Sequence, residues 1–419
     1  MIKRYSIVGL ILLIFFVISL LQNMLGPLIP DIIEDFNLSL TLAGFLPFSF
    51  FIAYAVMSIP TGFLIEKFRE KAIILIAFSI SFAGALIFAT NPNFTYALLS
   101  LFLMGTGVAM LQVGINPLLR VAGGEKHFAF NSVLAQLIFG MASFISPKLY
   151  IYFVQHLQHV SLPKNAIIKM LAQVVPVDLP WISLYWVFVI IILMMILIIA
   201  FARIPEVELN EDESVGHRDN IILLFKNKIV ILYFIGIIAY VGTEQGIASW
   251  ISKFLASYHE FDSQTTGARA VSNFWGLMTV GCLLGLFLLK IFDSRKVLIL
   301  FSSAAIISLT FGLLGPGEVA LIAFPLVGFF ASVMWSIIFS LALNSVSKHH
   351  GAFSGILCTG ISGGAVVPVI IGWLGSLIGL RFGMFFLYIT LGYILSIGFW
   401  AKPLIINETI WRKKHGNIR

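Results

Sequence analysis

The chain has 419 residues, of which 59% are hydrophobic and only 11% charged, with a formal net charge of +7. Soluble proteins carry about 25% charged residues, so a string of soluble domains is excluded. The basic residues are dispersed, which excludes a nucleic-acid-binding surface. The composition fits a polytopic membrane protein built from apolar segments of about 20 residues each.

Lys3 and Arg4 precede an apolar run, as in a signal peptide. The run continues through Gln22 and Asn23 without a small-x-small cleavage site, so it is expected to remain as the first span. Twelve apolar segments follow one another, at 6–30, 41–65, 72–90, 94–117, 128–153, 181–203, 229–251, 267–290, 297–315, 317–343, 352–375 and 382–401. In lipid the backbone must satisfy its own hydrogen bonds, and these runs are too long and too evenly apolar for barrel strands. The expected fold class is therefore an all-α membrane protein with twelve transmembrane helices.

With the amino terminus inside, Lys148, Lys164, Lys169, Lys253, Arg269 and Arg381 fall outside, and the rest of the 26 basic residues fall inside. That bias predicts cytoplasmic termini. The polar, acidic stretch at 204–228 reads as a cytoplasmic linker between an amino-terminal bundle (1–203) and a carboxy-terminal bundle (229–403), with a tail at 404–419. On the outer side, Ala166–Val175 is a candidate surface helix, with an ordinary loop as the alternative. Cys282 and Cys358 lie in apolar spans without metal or redox spacing, and are expected to be small packing residues.

The halves echo each other. GFLIEKFREK (Gly62–Lys71) and GLFLLKIFDSRK (Gly285–Lys296) both run from a glycine into a charged hinge. Glu66, Lys67, Arg69, Asp293 and Arg295 are candidate gating charges that latch the inner face. Two bundles in internal symmetry suit rocking about a central site.

Polar residues within the spans mark that site. Glu244 is the one acidic side chain expected well inside a span, and an acid in hydrocarbon is expensive unless hydrated, paired, protonated or metal-bound. The alternative is a carboxylic acid that merely ties two helices together. Glu244 and Gln245 lie between Gly242 and Gly246, where a carboxylate, an amide and freed carbonyls could coordinate Na⁺; the other possibility is that Glu244 carries a proton. In span 1, Gln22 and Asn23 precede Pro27 and Pro30, which break the hydrogen-bond ladder. In span 4, Gln112 and Asn116 share a helix face at i,i+4, and Gln136 follows in span 5. Amides combined with aromatic rings suit a neutral polyhydroxylated ligand. Trp250, Trp275 and Trp335, with Asn273 and Asn344, complete the candidate binding residues. TGISGGAVVP (Thr359–Pro368) reads as a close-packed, bendable element of span 11. His127, His349 and His350 have no acid partner at catalytic or metal spacing, so an enzyme is not expected.

LQVGINPLLR (Leu111–Arg120), YVGTEQGIASWI (Tyr240–Ile251), VMWSIIFSLAL (Val333–Leu343) and SGGAVVP (Ser362–Pro368) resemble the fucose/glucose-galactose permease branch of the major facilitator superfamily. The resemblance covers nearly the whole chain. It implies two six-helix pseudo-symmetric bundles, monosaccharide uptake by alternating access, and a cation gradient as the driving force, with no cofactor beyond the coupling ion. The implied partners are a monosaccharide, a coupling cation and membrane lipid, in a monomer of the bacterial inner membrane. Proton-coupled fucose permeases carry an acid in the first helix and another in the fourth; here Gly26 and Gln112 stand at those places. The span-7 glutamate resembles the glucose/galactose members, which favours Na⁺ over H⁺. A passive sugar facilitator and a drug or lipid exporter are the alternatives.

Overall fold

In the computed structural model the described residues are 2–123, 128–158, 165–202, 204, 224–346 and 350–404. Most of the proposed 204–228 linker, the tail from 405, and His127 and His349 lie outside them. Among the described residues there are 12 helical segments long and apolar enough to cross a membrane. They are Ser6–Asp35, Leu40–Ile65, Lys67–Thr90, Phe94–Ile115, Leu134–Gln158, Pro180–Phe201, Lys228–His259, Ser263–Ile291, Ser294–Leu314, Gly317–Leu343, Ala352–Ile378 and Leu380–Trp400, numbered here as spans 1 to 12. The all-α expectation therefore holds. An even number of crossings brings both chain ends to one face, called the terminal end below; the opposite face is the far end.

Side-chain caps start several of these helices. Ser39 Oγ accepts from Leu42 N (3.2 Å), Asn227 Oδ1 from Ile229 N (2.9 Å) and Asp293 Oδ1 from Arg295 N (2.9 Å). The segment between spans 5 and 6 forms a helix at Ala166–Val174, capped by Asn165, with Ile168 and Leu171 buried and Ile167, Met170 and Val174 exposed. That resolves the helix-or-loop alternative in favour of the helix.

Three spans bend where the ladder is interrupted. Span 1 divides into Ile2–Gln22 and Leu25–Asp35. Pro27 offers no N–H to the carbonyl of Asn23, one turn earlier, and the turn at Asn23 and Met24 follows from that. Span 10 divides into Gly317–Ala331 and Met334–Leu343. Span 11 passes through a 3₁₀ turn at Gly360–Ser362 before resuming at Gly363. A side chain at Gly363 would collide with the Ile238 backbone of span 7, so close packing requires glycine there.

Spans from the first half meet those of the second along three seams, span 1 with span 7, span 2 with span 11 and span 5 with span 8. Thr41 Oγ1 donates to Ser376 Oγ (2.9 Å), Gln264 Nε2 to Asp31 Oδ1 (3.1 Å) and Ser272 Oγ to the Phe144 carbonyl (2.7 Å). The first two bonds lie toward the far end, which is therefore the closed end of the molecule, and the third lies nearer the middle of spans 5 and 8.

Candidate functional site

Span 7 positions the central acid. From Ala239 to Ser252 every residue is buried except Glu244, which is half-buried. Since span 7 packs against helices of both halves, that residual exposure opens on an internal space. Tyr240, one turn earlier, donates its hydroxyl to Glu244 Oε2 (2.6 Å), and Gln245 Nε2 donates to Oε1 (3.0 Å). The groups around the carboxylate are thus hydrogen-bond donors.

An aromatic wall adjoins the acid. The Trp335 ring lies 6.1 Å from Tyr240 and stacks with Phe339 at 5.7 Å. Trp335 is half-buried, and Ser336 and Ser340 beside it are exposed, so this part of span 10 presents both a ring face and hydroxyls. Trp275 of span 8 is buried, and its Nε1 has no hydrogen-bond partner. Asn23 of span 1 is buried, with Nδ2 donating to Ser143 Oγ (2.8 Å) and Oδ1 left without a partner. A buried donor and a buried acceptor left open cost stability unless a ligand or water completes them.

The remaining predicted residues are spread more widely. Gln22 is buried and accepts from the Tyr54 hydroxyl (3.1 Å), tying span 1 to span 2. Gln112 is half-buried on span 4; Asn116 lies one turn further along the same helix, and its side chain is outside the described residues. Gln136 is exposed, one turn before Gly140, which faces Thr279 of span 8. Trp250 is fully buried with Nε1 donating to the Pro368 carbonyl (3.2 Å), so it packs span 7 onto span 11 instead of facing a ligand. Asn273 is exposed in a groove with Lys148, Ile151 and Arg269. Asn344 ends the second helix of span 10, and its carbonyl accepts from Leu404 N (2.7 Å) at the terminal end, away from Glu244.

Arg295 pairs with Asp293 (3.3 Å) and donates to the Ala401 carbonyl (3.3 Å), both contacts within the second half. In the first half, Lys67 is exposed over Phe68, Arg69 breaks the helix with φ 68°, and the Glu66 side chain is outside the described residues. Lys71 donates to the Ala200 and Ala202 carbonyls (2.9 and 2.8 Å), capping the end of span 6.

Sequence reasoning missed Asp31. The sequence puts it just past the apolar segment 6–30, but it is only 5% exposed and accepts from the Tyr150 hydroxyl of span 5 as well as from Gln264. Gly26, at the position where fucose permeases carry an acid, faces the Ala248 carbonyl of span 7 so closely that any side chain would collide with it.

The family model of the Major Facilitator Superfamily matches residues 11–368. The chain is 29% identical over 390 residues to the glucose/galactose transporter of Brucella abortus, covering 92% of each. It is 26% identical over 373 residues to the L-fucose-proton symporter of Escherichia coli, covering 85% of this chain and 84% of that protein. The crystal structure of the E. coli fucose:proton symporter in the outward conformation superposes with a TM-score of 0.67 at 21% identity, over 96% of this chain and 99% of that one. A bacterial homologue of the human lysosomal transporter Spinster, inward-facing and unoccupied, superposes with a TM-score of 0.75 at 15% identity, over 95% and 97%. Both likenesses carry the fold alone. The chain belongs to the Major Facilitator Superfamily, a transporter rather than a catalytic enzyme, on the branch of the glucose/galactose and fucose permeases.

Proposed function

We propose that this protein takes up a hexose by cation symport through alternating access, with Glu244 carrying the coupling ion. The observation that carries the proposal is Glu244 itself, half-buried in an otherwise buried stretch of span 7 and hydrogen-bonded to Tyr240 and Gln245. Trp335, Trp275, Asn23 and Gln112 are the candidate sugar contacts. A tryptophan face suits the apolar face of a pyranose, and the open polar atoms of Trp275 and Asn23 suit its hydroxyls. Full-length relatives named for glucose/galactose transport and for fucose-proton symport support the substrate class.

For the ion, the sequence favoured sodium. One observation supports a proton instead: a relative matched over most of both chains is named an L-fucose-proton symporter. The excess of Lys and Arg in the connections on the chain-terminal side supports cytoplasmic termini and a closed far end that faces outward.

The test is uptake of labelled glucose, galactose, mannose and fucose into proteoliposomes, with Na⁺ and pH gradients imposed separately. Accumulation driven by an inward proton gradient alone is expected. Accumulation driven by sodium alone would restore the sodium assignment, equilibration without accumulation would make the protein a facilitator, and no hexose flux at all would overturn the proposal.

A further inference from the structure

On the seam between spans 5 and 8, toward the far end, lies a cavity of about 350 Å³ lined by Lys148, Ile151, Arg269 and Asn273. Its two cations come from opposite halves of the protein. Neither is paired with a carboxylate among the described residues. The Lys148 ammonium instead turns back over the Phe144 ring, 3.8 Å from its centroid. That cation–π contact offsets only part of the cost of an unpaired charge in apolar surroundings.

The cavity faces lipid. Arg269 and Asn273 continue, in helical steps, an exposed stripe of span 8 that includes Val280 (52% exposed), Leu284 (42%) and Phe287 (66%). Lys148 likewise lies between the exposed Met141 and Tyr152 of span 5. Such apolar stripes belong against acyl chains. Arg269 is six residues inside span 8, roughly 9 Å below its far end at 1.5 Å per residue, which is close to the depth of lipid headgroups.

We propose that this seam binds the phosphate group of an anionic phospholipid. Arg269 supplies the guanidinium fork that suits phosphate oxygens, Lys148 a point charge, and Asn273 a neutral donor. The acyl chains lie along Val280 and Leu284. Two like charges held on opposite sides of a seam repel, and an anion between them turns that repulsion into a bridge. The bound lipid therefore holds spans 5 and 8 together where Ser272 already bonds to Phe144, and it strengthens closure of the far end.

The test is retention of phosphatidylglycerol against phosphatidylcholine by the purified full-length chain, measured by native mass spectrometry, with inorganic phosphate as competitor. The wild type is expected to retain phosphatidylglycerol preferentially. Losing one charge-assisted contact weakens binding by about tenfold, so Lys148→Gln with Arg269→Gln should remove the preference while Lys148→Arg with Arg269→Lys keeps it. Displacement by inorganic phosphate would support a site for the phosphate group itself; persistence against it would support a site that also needs the acyl chains. Equal retention of the two lipids by the wild type, or an unchanged preference in the Gln variant, would overturn the proposal. Because the readout is lipid binding, its outcome is independent of whether the protein carries a hexose.

Discussion

Gln264 donates a 3.1 Å hydrogen bond to Asp31, joining the two halves of the protein at the far end of span 1. The other carboxylate oxygen of Asp31 accepts from Tyr150 in its own half. One buried acid thus holds a neighbour on either side of the seam that must part when the far end opens. Truncation to Asp31→Ala leaves both donors without their acceptor. Hydrogen bonds to a charged group contribute about 1.5–3 kcal/mol, so the balance should shift roughly tenfold or more toward a far-open state. Distances between spin labels on the far ends of spans 2 and 11 measure this. Longer distances are expected in Asp31→Ala and, to a lesser extent, in Gln264→Ala; unchanged distances in both would leave Asp31 without a latching role.

Glu244→Gln keeps the shape of the side chain and an acceptor for Tyr240, so the helix should remain folded. It removes the titratable group. Concentrative hexose uptake should fall to equilibration while counterflow exchange of labelled sugar persists. The measurement is the ratio of internal to external sugar at steady state under a proton gradient. Retained accumulation would move coupling to another acid, with Asp31 the first to examine.

Much of the fold was legible because lipid leaves the backbone no choice. A long apolar run must satisfy its own hydrogen bonds, and twelve such runs became twelve spans. Glu244 stands out in the sequence for the converse reason, a charged group where lipid would not favour one. Trp250 was not legible, because periodicity cannot separate the face of span 7 that meets Pro368 of span 11 from the face that meets a cavity. Asp31 was misplaced because span 1 does not end at Pro30. The helix absorbs its prolines by turning at Asn23 and Met24 and continues to Asp35, carrying Asp31 inside. The hinge motifs read as a latch of the inner face for an outward-open state; with the far end closed, Arg295 contacts Asp293 and Ala401 of its own half. Which half a charge pairs with is a tertiary fact that no local motif encodes.

Gly26 allows a second comparison with the fucose permeases. The Ala248 carbonyl occupies the space a side chain would need, so an acid there is incompatible with this closed packing of span 1 on span 7. Gly26→Asp should therefore not restore a fucose-type coupling acid. It should wedge spans 1 and 7 apart, favour the far-open state and lower the rate of net uptake more than the apparent affinity for sugar on the far side. Spin-label distances across the same seam, read beside initial uptake rates, test this; wild-type distances with unimpaired uptake would show that span 1 can shift to make room.

Trp250 and Trp335 should separate stability from recognition. Trp250 is fully buried between spans 7 and 11, with its indole N–H on the Pro368 carbonyl. Trp250→Ala removes that bond and leaves a cavity, and large-to-small changes of a buried aromatic cost about 3–5 kcal/mol. The melting temperature of the purified protein should fall, and transport should fall only in proportion to folded protein. Trp335 is half-buried beside Tyr240 and Glu244 and has less packing to lose. Trp335→Ala should leave the melting temperature nearly unchanged while raising the sugar concentration for half-maximal uptake by about two- to tenfold, the order of a lost aromatic face of 0.5–1.5 kcal/mol. Trp335→Phe, which keeps a ring face, should recover part of the affinity. An affinity loss confined to Trp250→Ala would reverse the two roles and place the sugar along the span 7–span 11 seam.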